Sequence, residues 1–250
     1  NLDEINNLDN VSAVIIQSPN KYGILESWLS VSKKLNGSKT ILISVSNPLH
    51  LSKIEPPGKS GSDIFVSDGQ TLGNYMNYGG PSLGIMAVKS KFMRKIPGRI
   101  IGRTIDKKGK EGFVLTLQTR EQHIRRENAT SNICTNQSLL ALRALIYMSS
   151  IGKNGIQKII ELCINKTSFL INEIEKIKGY SVPFKHNILN EFLVESDYEI
   201  ESIIKKAYKE NIYLSKNTYK NKTFMQISVT EKRTKKEMLK LITVLKSFNE

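Results

Sequence analysis

The sequence predicts an α/β fold, an open and partly parallel sheet followed by a smaller α+β portion, on three observations. Short β-branched apolar runs at 12–16 and 40–45 bracket a stretch of helical periodicity. Further runs at 63–66 and 85–88 repeat the strand signal after Pro- and Gly-rich breaks. Beyond about residue 150 the pattern changes to long amphipathic helices interleaved with isolated strands.

In the first portion Ile24, Leu25, Trp28, Leu29 and Leu35 recur at helical spacing, and Gly37 supplies a stop. Strand, helix and strand in so short a span predict a parallel βαβ unit with a right-handed crossover. The Pro56-Pro57-Gly58 break precedes the third strand, and the Gly-rich stretch Tyr78 to Gly84 leads into the fourth. From Lys89 to Lys110 the chain carries nine Lys or Arg residues against one acid, Asp106, with Pro97 and three glycines. That composition predicts a loop or hairpin crossing between lobes. A strand at 113–117 and a polar, helix-prone stretch at 120–128 follow. A strongly apolar helix through Leu139, Leu140, Leu142, Leu145, Ile146 and Met148 is expected to end near Gly152. Next come a helix over 155–178 stopped by Gly179, a strand at 191–194 and a helix over 198–209, then a strand at 224–229 and a final helix over 232–248. The expected division is therefore 1–110 for the large α/β part, 111–152 for an interdomain polar segment and linking helix, and 153–250 for a small α+β domain.

Composition narrows the function classes. No apolar run approaches the length of a membrane span, and no charged-then-apolar leader opens the sequence. Two cysteines, Cys134 and Cys163, cannot build a disulfide framework, so a reducing, cytoplasmic setting is expected. The formal net charge is +14, which favours an anionic partner. Abundant Lys, Asn and Ile with scarce Arg also fit compositional drift. Yet seven of the eight arginines fall between Arg94 and Arg143, where a planar, bidentate cation has a use that lysine does not serve.

Spacing closes several chemical possibilities. Pro57-Gly58-Lys59-Ser60 ends like a phosphate-binding loop, but Lys53 stands where the motif needs its first glycine. His50, His123 and His186 are far apart and form no metal-ligand pair with each other or with the cysteines, so no metal is expected. The informative segment is 118–137, polar almost throughout although it precedes the most apolar helix. Its amides, small hydroxyls, histidine and arginines are an inventory for hydrogen bonding in a wet interface or ligand cleft.

The stretch Phe113 to Gln137 (FVLTLQTREQHIRRENATSNICTNQ) resembles the P-protein of the glycine cleavage system, specifically the A-type chain, or subunit 1, of two-subunit glycine dehydrogenases (decarboxylating). Supporting stretches are Gln17-Ser18-Pro19-Asn20 with Gly23, Asn47-Pro48, Pro56 to Gly58, Asp68 to Gly73, Tyr78 to Gly84 and Pro97 to Gly102. The resemblance is ordered from about residue 12 to 150 and weaker but continuous to the end.

What the resemblance implies is a fold type I pyridoxal-phosphate architecture, with this chain corresponding to the C-terminal half of a longer subunit. It implies decarboxylation of glycine on pyridoxal phosphate and transfer of the aminomethyl group to the lipoyl arm of a carrier, the H-protein. In two-subunit members the cofactor lysine belongs to the B-type partner. Here Thr71 or a neighbour stands where that lysine would be, and no Lys lies between Lys59 and Lys89. This chain is thus expected to bind no covalent cofactor and to complete the partner's site within a two-plus-two heterotetramer. Gly79 and Gly80 are the expected close-approach backbone near the partner's cofactor phosphate. Gln70, Tyr78, His123, Arg125, Arg126, Thr130, Ser131 and Asn132 are expected at the substrate or the interface. Arg125 and Arg126 have an alternative role in ion pairs with Glu121 and Glu127, and Ser131 or Asn132 as the N-cap of the apolar helix. Two rival functions remain open, a catalytically inactive scaffold of the same fold and a basic nucleic-acid-binding protein. The latter lacks a recognition-helix pattern or a stacking motif, so neither nucleic acid nor membrane is expected as a partner.

Overall fold

The computed structural model describes residues 10–129 and 137–249. Strands β1 (Ala13–Gln17), β2 (Ile41–Val45), β3 (Ile64–Asp68) and β4 (Gly84–Val88) form one sheet in the order β1-β2-β3-β4. The first three are parallel, with Ala13 opposite Ile41 and Ile43 opposite Ile64, and β4 returns antiparallel to β3. Helix α1 (Trp28–Lys34) makes the crossover from β1 to β2. It buries Trp28 and Val31 against the sheet, and the Trp28 indole donates to the Ile16 carbonyl at 3.1 Å. The helix is shorter than its apolar spacing predicts. Ile24 instead pairs in a β-bridge with Ile188, and the Leu25 N–H donates to the Asn187 carbonyl at 3.2 Å.

The basic segment is a hairpin, as one of the two expected alternatives. Strands β5 (Ile100–Ile105) and β6 (Glu111–Thr116) pair with Arg103 opposite Phe113, and Arg103 forms an ion pair with Glu111. Lys89 and Lys91 are not part of a free solvated patch, because both approach the nearly buried Asp63 carboxylate, at 3.1 and 2.9 Å. Helix α2 (Gln122–Arg125) is one short turn between two 3-10 turns.

Helix α3 spans Ser138–Ile174 and bends at Gly152, whose φ of 63° lies in the region that glycine tolerates. The expected break is therefore a kink, and the helix stops four residues short of Lys178. Its N-cap is Gln137, with no side-chain cap bond among the described residues. Beyond the kink, β7 (Tyr180–Ser181), β8 (Glu191–Ser196), β9 (Ser215–Tyr219) and β10 (Lys222–Ser228) form an antiparallel sheet in the order β7-β8-β10-β9. Helices α4 (Ile200–Lys209) and α5 (Lys235–Lys246) cover it. Phe192, Val194, Ile203, Met225 and Leu245 are wholly buried between these layers together with Ile174 of α3. A capping box of Thr234 and Glu237 starts α5.

The two sheets meet along the segment after β1. The Lys21 carbonyl accepts from the side-chain amides of Asn217 and Gln226, at 3.2 and 3.1 Å. Gly23, at φ 83°, lies so close to Glu191 that a Cβ would overlap its carbonyl. No helix among the described residues is long and apolar enough to cross a membrane.

Candidate functional site

Polar side chains converge where parallel strands end, because the chain leaves each strand at the same edge and its next residues face a common crevice. Gln17 ends β1 with Pro19 just beyond, Ser46 and Asn47 follow β2, and Asp68 ends β3 with Gln70 and Thr71 just beyond. Together with His50, and with Asn190 and Glu191 from the C-terminal sheet, they line a cleft of about 280 Å³.

Hydrogen bonds hold these groups in place. The Asn47 side-chain oxygen accepts from the Thr71 hydroxyl at 2.8 Å and from the Leu49 N–H at 3.0 Å. Asp68 accepts from the Gln70 N–H at 2.6 Å and from the Ser82 hydroxyl at 2.7 Å. His50 is 7% exposed, and its Nε2 lies 3.1 Å from the Asn190 side-chain oxygen, which fixes the proton on Nε2. Its Nδ1 has no partner among the described residues. Burial pushes the His50 pKa down to about 4 against the upward pull of Asn190, so the ring is neutral near pH 7. Burial also pushes the Glu191 carboxyl above its ordinary range.

Of the residues expected at the site, the cleft gathers Gln70. Thr71, at or next to the place where the resemblance would put a lysine, lines it as well. Tyr78, Gly79 and Gly80 form an exposed turn at the far end of the loop that leaves the cleft. The Gly80 N–H is already engaged by the Asn77 carbonyl at 2.7 Å. His123 and Arg125 are exposed on α2, and Arg126 follows at φ 53°, ψ −124°. Neither Arg125 nor Arg126 forms an ion pair among the described residues, and Glu121 pairs with Arg120 instead, at 3.2 Å. Thr130, Ser131 and Asn132 lie outside the described residues.

Arg120 is the arginine of the polar string that is fixed in place. Its guanidinium donates to the carbonyls of Ile96 and Gly98 and so ties the base of the β5–β6 hairpin to the string. His50, Asn47, Asp68 and Asn190 escaped sequence reasoning as site residues. The signal available was position: Asn47 and Asp68 stand at or just beyond strand C-termini.

These residues do not fit pyridoxal phosphate held covalently by this chain. Among the described residues the cleft wall contains no lysine to form the imine and no arginine to meet a phosphate, while Asp68 and Glu191 would face its negative charge. Among the described residues no group of His, Cys, Asp and Glu is arranged to hold a metal ion.

The sequence model described as "Glycine cleavage system P-protein" matches residues 2–245. A protein of Chloroherpeton thalassium named "Probable glycine dehydrogenase (decarboxylating) subunit 1" is 44% identical over 96% of this chain and 54% of its own length. Its namesake from Chlorobium limicola is 42% identical over 95% of this chain and 54% of its own length. The chain thus spans about half the length of these curated relatives. A crystal structure of glycine decarboxylase (P-protein) in inhibitor-bound form superposes with a TM-score of 0.88 at 32% identity, covering 96% of this chain and 55% of that one. A NifS-like protein from Rickettsia africae superposes at 0.65 with 16% identity over 99% of this chain and 64% of its own, which bears on fold alone. The architecture is that of fold type I pyridoxal-phosphate enzymes.

Proposed function

This chain belongs to the glycine cleavage system P-protein family, and on that premise we propose that it is part of the A-type subunit of a two-subunit, cytoplasmic glycine dehydrogenase (decarboxylating). In this reading a lysine-bearing B-type partner holds pyridoxal phosphate, which supplies the electron sink for glycine decarboxylation. The lipoyl arm of an H-protein accepts the aminomethyl group, and the assembly is a two-plus-two heterotetramer. The observation that carries the reading is a cleft with no Lys or Arg among its described lining residues, where Thr71, which with its neighbours stands by family resemblance at the place of a cofactor lysine, hydrogen-bonds Asn47. A relative that kept the fold and lost the lysine is of use as the completing half of another chain's site.

Under this proposal the chain's own residues bind and orient. The turn at Gly79 and Gly80 approaches the partner's cofactor phosphate closely, helped by open space around the Gly79 Cα. Arg125 and Arg126, exposed and without a carboxylate partner among the described residues, are free to grip a carboxylate or phosphate in two-pronged fashion. His123 stands on the same short helix. The kink at Gly152 and the core beyond it support the expected boundary at 152, whereas the one at 110 falls in the turn of the β5–β6 hairpin, whose strands pair across it.

The test is coexpression of the full-length subunit with its partner, followed by glycine-dependent carbon dioxide exchange and by borohydride reduction with peptide mapping. Exchange with a pyridoxyl group on the partner alone is the expected result. A pyridoxyl group on any lysine of this chain would overturn the assignment. Arg125→Lys and Arg126→Lys keep the charge and remove the fork, and each should lower exchange roughly tenfold or more, since a charge-assisted hydrogen bond contributes about 1.5–3 kcal/mol.

A further inference from the structure

Charge of one sign collects in the strand-end cleft. Asp68 and Glu191 line it, neither pairs with a cation among the described residues, and no Lys or Arg stands among its described lining residues. Glu191 is the less ordinary of the two. It is half-buried, its carboxylate receives no hydrogen bond from the described residues, and burial pushes its carboxyl up with no cation to oppose the rise. The backbone beneath it is fixed, because Gly23 packs against the Glu191 carbonyl and Ser228 of β10 pairs opposite. A carboxylate withdrawn from water and left without a donor is costly, and such groups are ordinarily paired.

A second observation is independent of that charge. His50 is 7% exposed and lines the same cleft; its Nε2–H is given to Asn190, and its Nδ1 has no donor among the described residues. On a neutral ring that nitrogen presents a lone pair. The wall therefore offers acceptors in excess, two of them charged. A ligand that satisfies it must carry positive charge and several N–H or O–H donors. The described residues hold no group of His, Cys, Asp and Glu arranged for a metal ion, which favours an organic cation. An ammonium group has three diverging N–H donors and forms its strongest hydrogen bonds to carboxylates.

We propose that this cleft binds a small primary ammonium ion, with Glu191 as its charge partner. It is the crevice in which family resemblance would put a cofactor lysine, so the same place has exchanged a cationic wall for an anionic one. The inference stands on the chemistry of that wall and holds whichever chain carries the cofactor. A volume of about 280 Å³ suits an amine of a few carbons. An amino acid fits less well, because its carboxylate would face Asp68 and Glu191.

The experiment titrates the full-length protein with methylammonium chloride in a calorimeter, at constant total chloride. Tetramethylammonium has the same charge and no N–H, and glycine has the same ammonium and a carboxylate. Methylammonium should bind at least tenfold more tightly than either, and inorganic phosphate should not displace it. Glu191→Gln should weaken methylammonium binding at least tenfold without lowering the melting temperature of the unliganded protein. No binding of methylammonium would overturn the proposal, as would equal binding of tetramethylammonium, which would reduce the site to bulk charge. Glycine or phosphate bound as tightly would overturn it in favour of an acidic ligand. Binding unchanged in Glu191→Gln would remove the charge partner and sink the assignment. So would a fall in the variant's own melting temperature, which would mean that a cation elsewhere in the same chain already neutralises Glu191.

Discussion

The C-terminal α+β portion and the parallel-sheet portion treat their apolar residues in opposite ways. In the first, Phe192, Leu193 and Val194 of β8 are all wholly buried, with helices α4 and α5 packed over the sheet. In the second, β1 lies at the edge of a parallel sheet, and Ile15 at its centre is 65% exposed. Parallel sheets are stable when both faces are covered. Here α1 supplies a small core of Val31, Leu35 and Leu42 on one side. Among the described residues one region is closed over its core, and the other leaves apolar residues exposed. The proposed role of completing a partner's site would draw on both properties, a rigid body and an open face.

The comparison breaks most directly at the core. Phe192→Ala should cost about 3–5 kcal/mol of stability through lost transfer energy and a cavity. Ile15→Ala should cost under about 1 kcal/mol in the subunit alone, because little packing is lost at a residue 65% exposed. Chemical denaturation of both variants gives the answer, and similar costs would mean that the two regions are equally closed.

A somewhat smaller effect is expected at the seam, where His50 of the sheet portion meets Asn190 of the C-terminal portion. The folded-state pKa is about 4, against 6.5 for an ordinary histidine. As pH falls below 6.5 the unfolded chain takes up the proton first. Stability that is complete above pH 6.5 is therefore lost progressively down to about pH 4, by about 3 kcal/mol. His50→Asn should flatten that part of the pH profile. If it leaves the slope unchanged, the seam does not depend on a neutral histidine.

At the hairpin base, Arg120→Lys should lose about 2 kcal/mol, since an ammonium cannot span the Ile96 and Gly98 carbonyls while also meeting Glu121. Exchange protection of the β5–β6 amides reads the effect locally. Protection equal to wild type would mean that the guanidinium does not hold the arm.

The same contrast explains what the sequence disclosed. Strands β2, β8 and β10 are legible because burial selects apolar runs, and β1 is legible through its β-branched residues although Ile15 is exposed. Strand β9, Ser-Lys-Asn-Thr-Tyr, is an edge with no fully buried side chain, and it leaves no such trace. Ile24 and Leu25 read as helix because their spacing fits one, but tertiary pairing with residues 187 and 188 claims them. At the cleft, Gln70 and Thr71 were visible through family likeness. His50 and Asn190 were not, since they are 140 residues apart and only the folded seam joins them. The polar string displayed its arginines, but periodicity does not reveal that Arg120 is fixed while Arg125 and Arg126 stay exposed.

The smallest expected effect concerns the basic hairpin and the carrier protein. Nine cations against one acid between Lys89 and Lys110 look like a single steering patch in the sequence. In the structure they divide. Lys89 and Lys91 serve Asp63, whose carboxyl stays below its ordinary range: burial pushes it up, but the Lys91 and Lys89 ammonium groups and the Leu42 N–H outweigh that. Neutralising these two lysines should affect stability more than docking, by up to about 1 kcal/mol. Arg94, Lys95, Arg99, Lys107, Lys108 and Lys110 are exposed and have no carboxylate partner among the described residues, and of these Lys107 and Lys108 stand at the tip of the hairpin, in the turn between β5 and β6, and would steer the proposed carrier if that carrier is acidic. Lys107→Gln with Lys108→Gln should slow the carrier's association a few-fold at low salt. The difference should fade as the screening length falls to about 8 Å near physiological ionic strength, because steering acts on encounter rather than on the bound state. Stopped-flow association across a salt series separates the cases. Parallel salt slopes for wild type and variant would remove the arm from the carrier's path and leave its exposed Phe113 face unconnected with carrier docking.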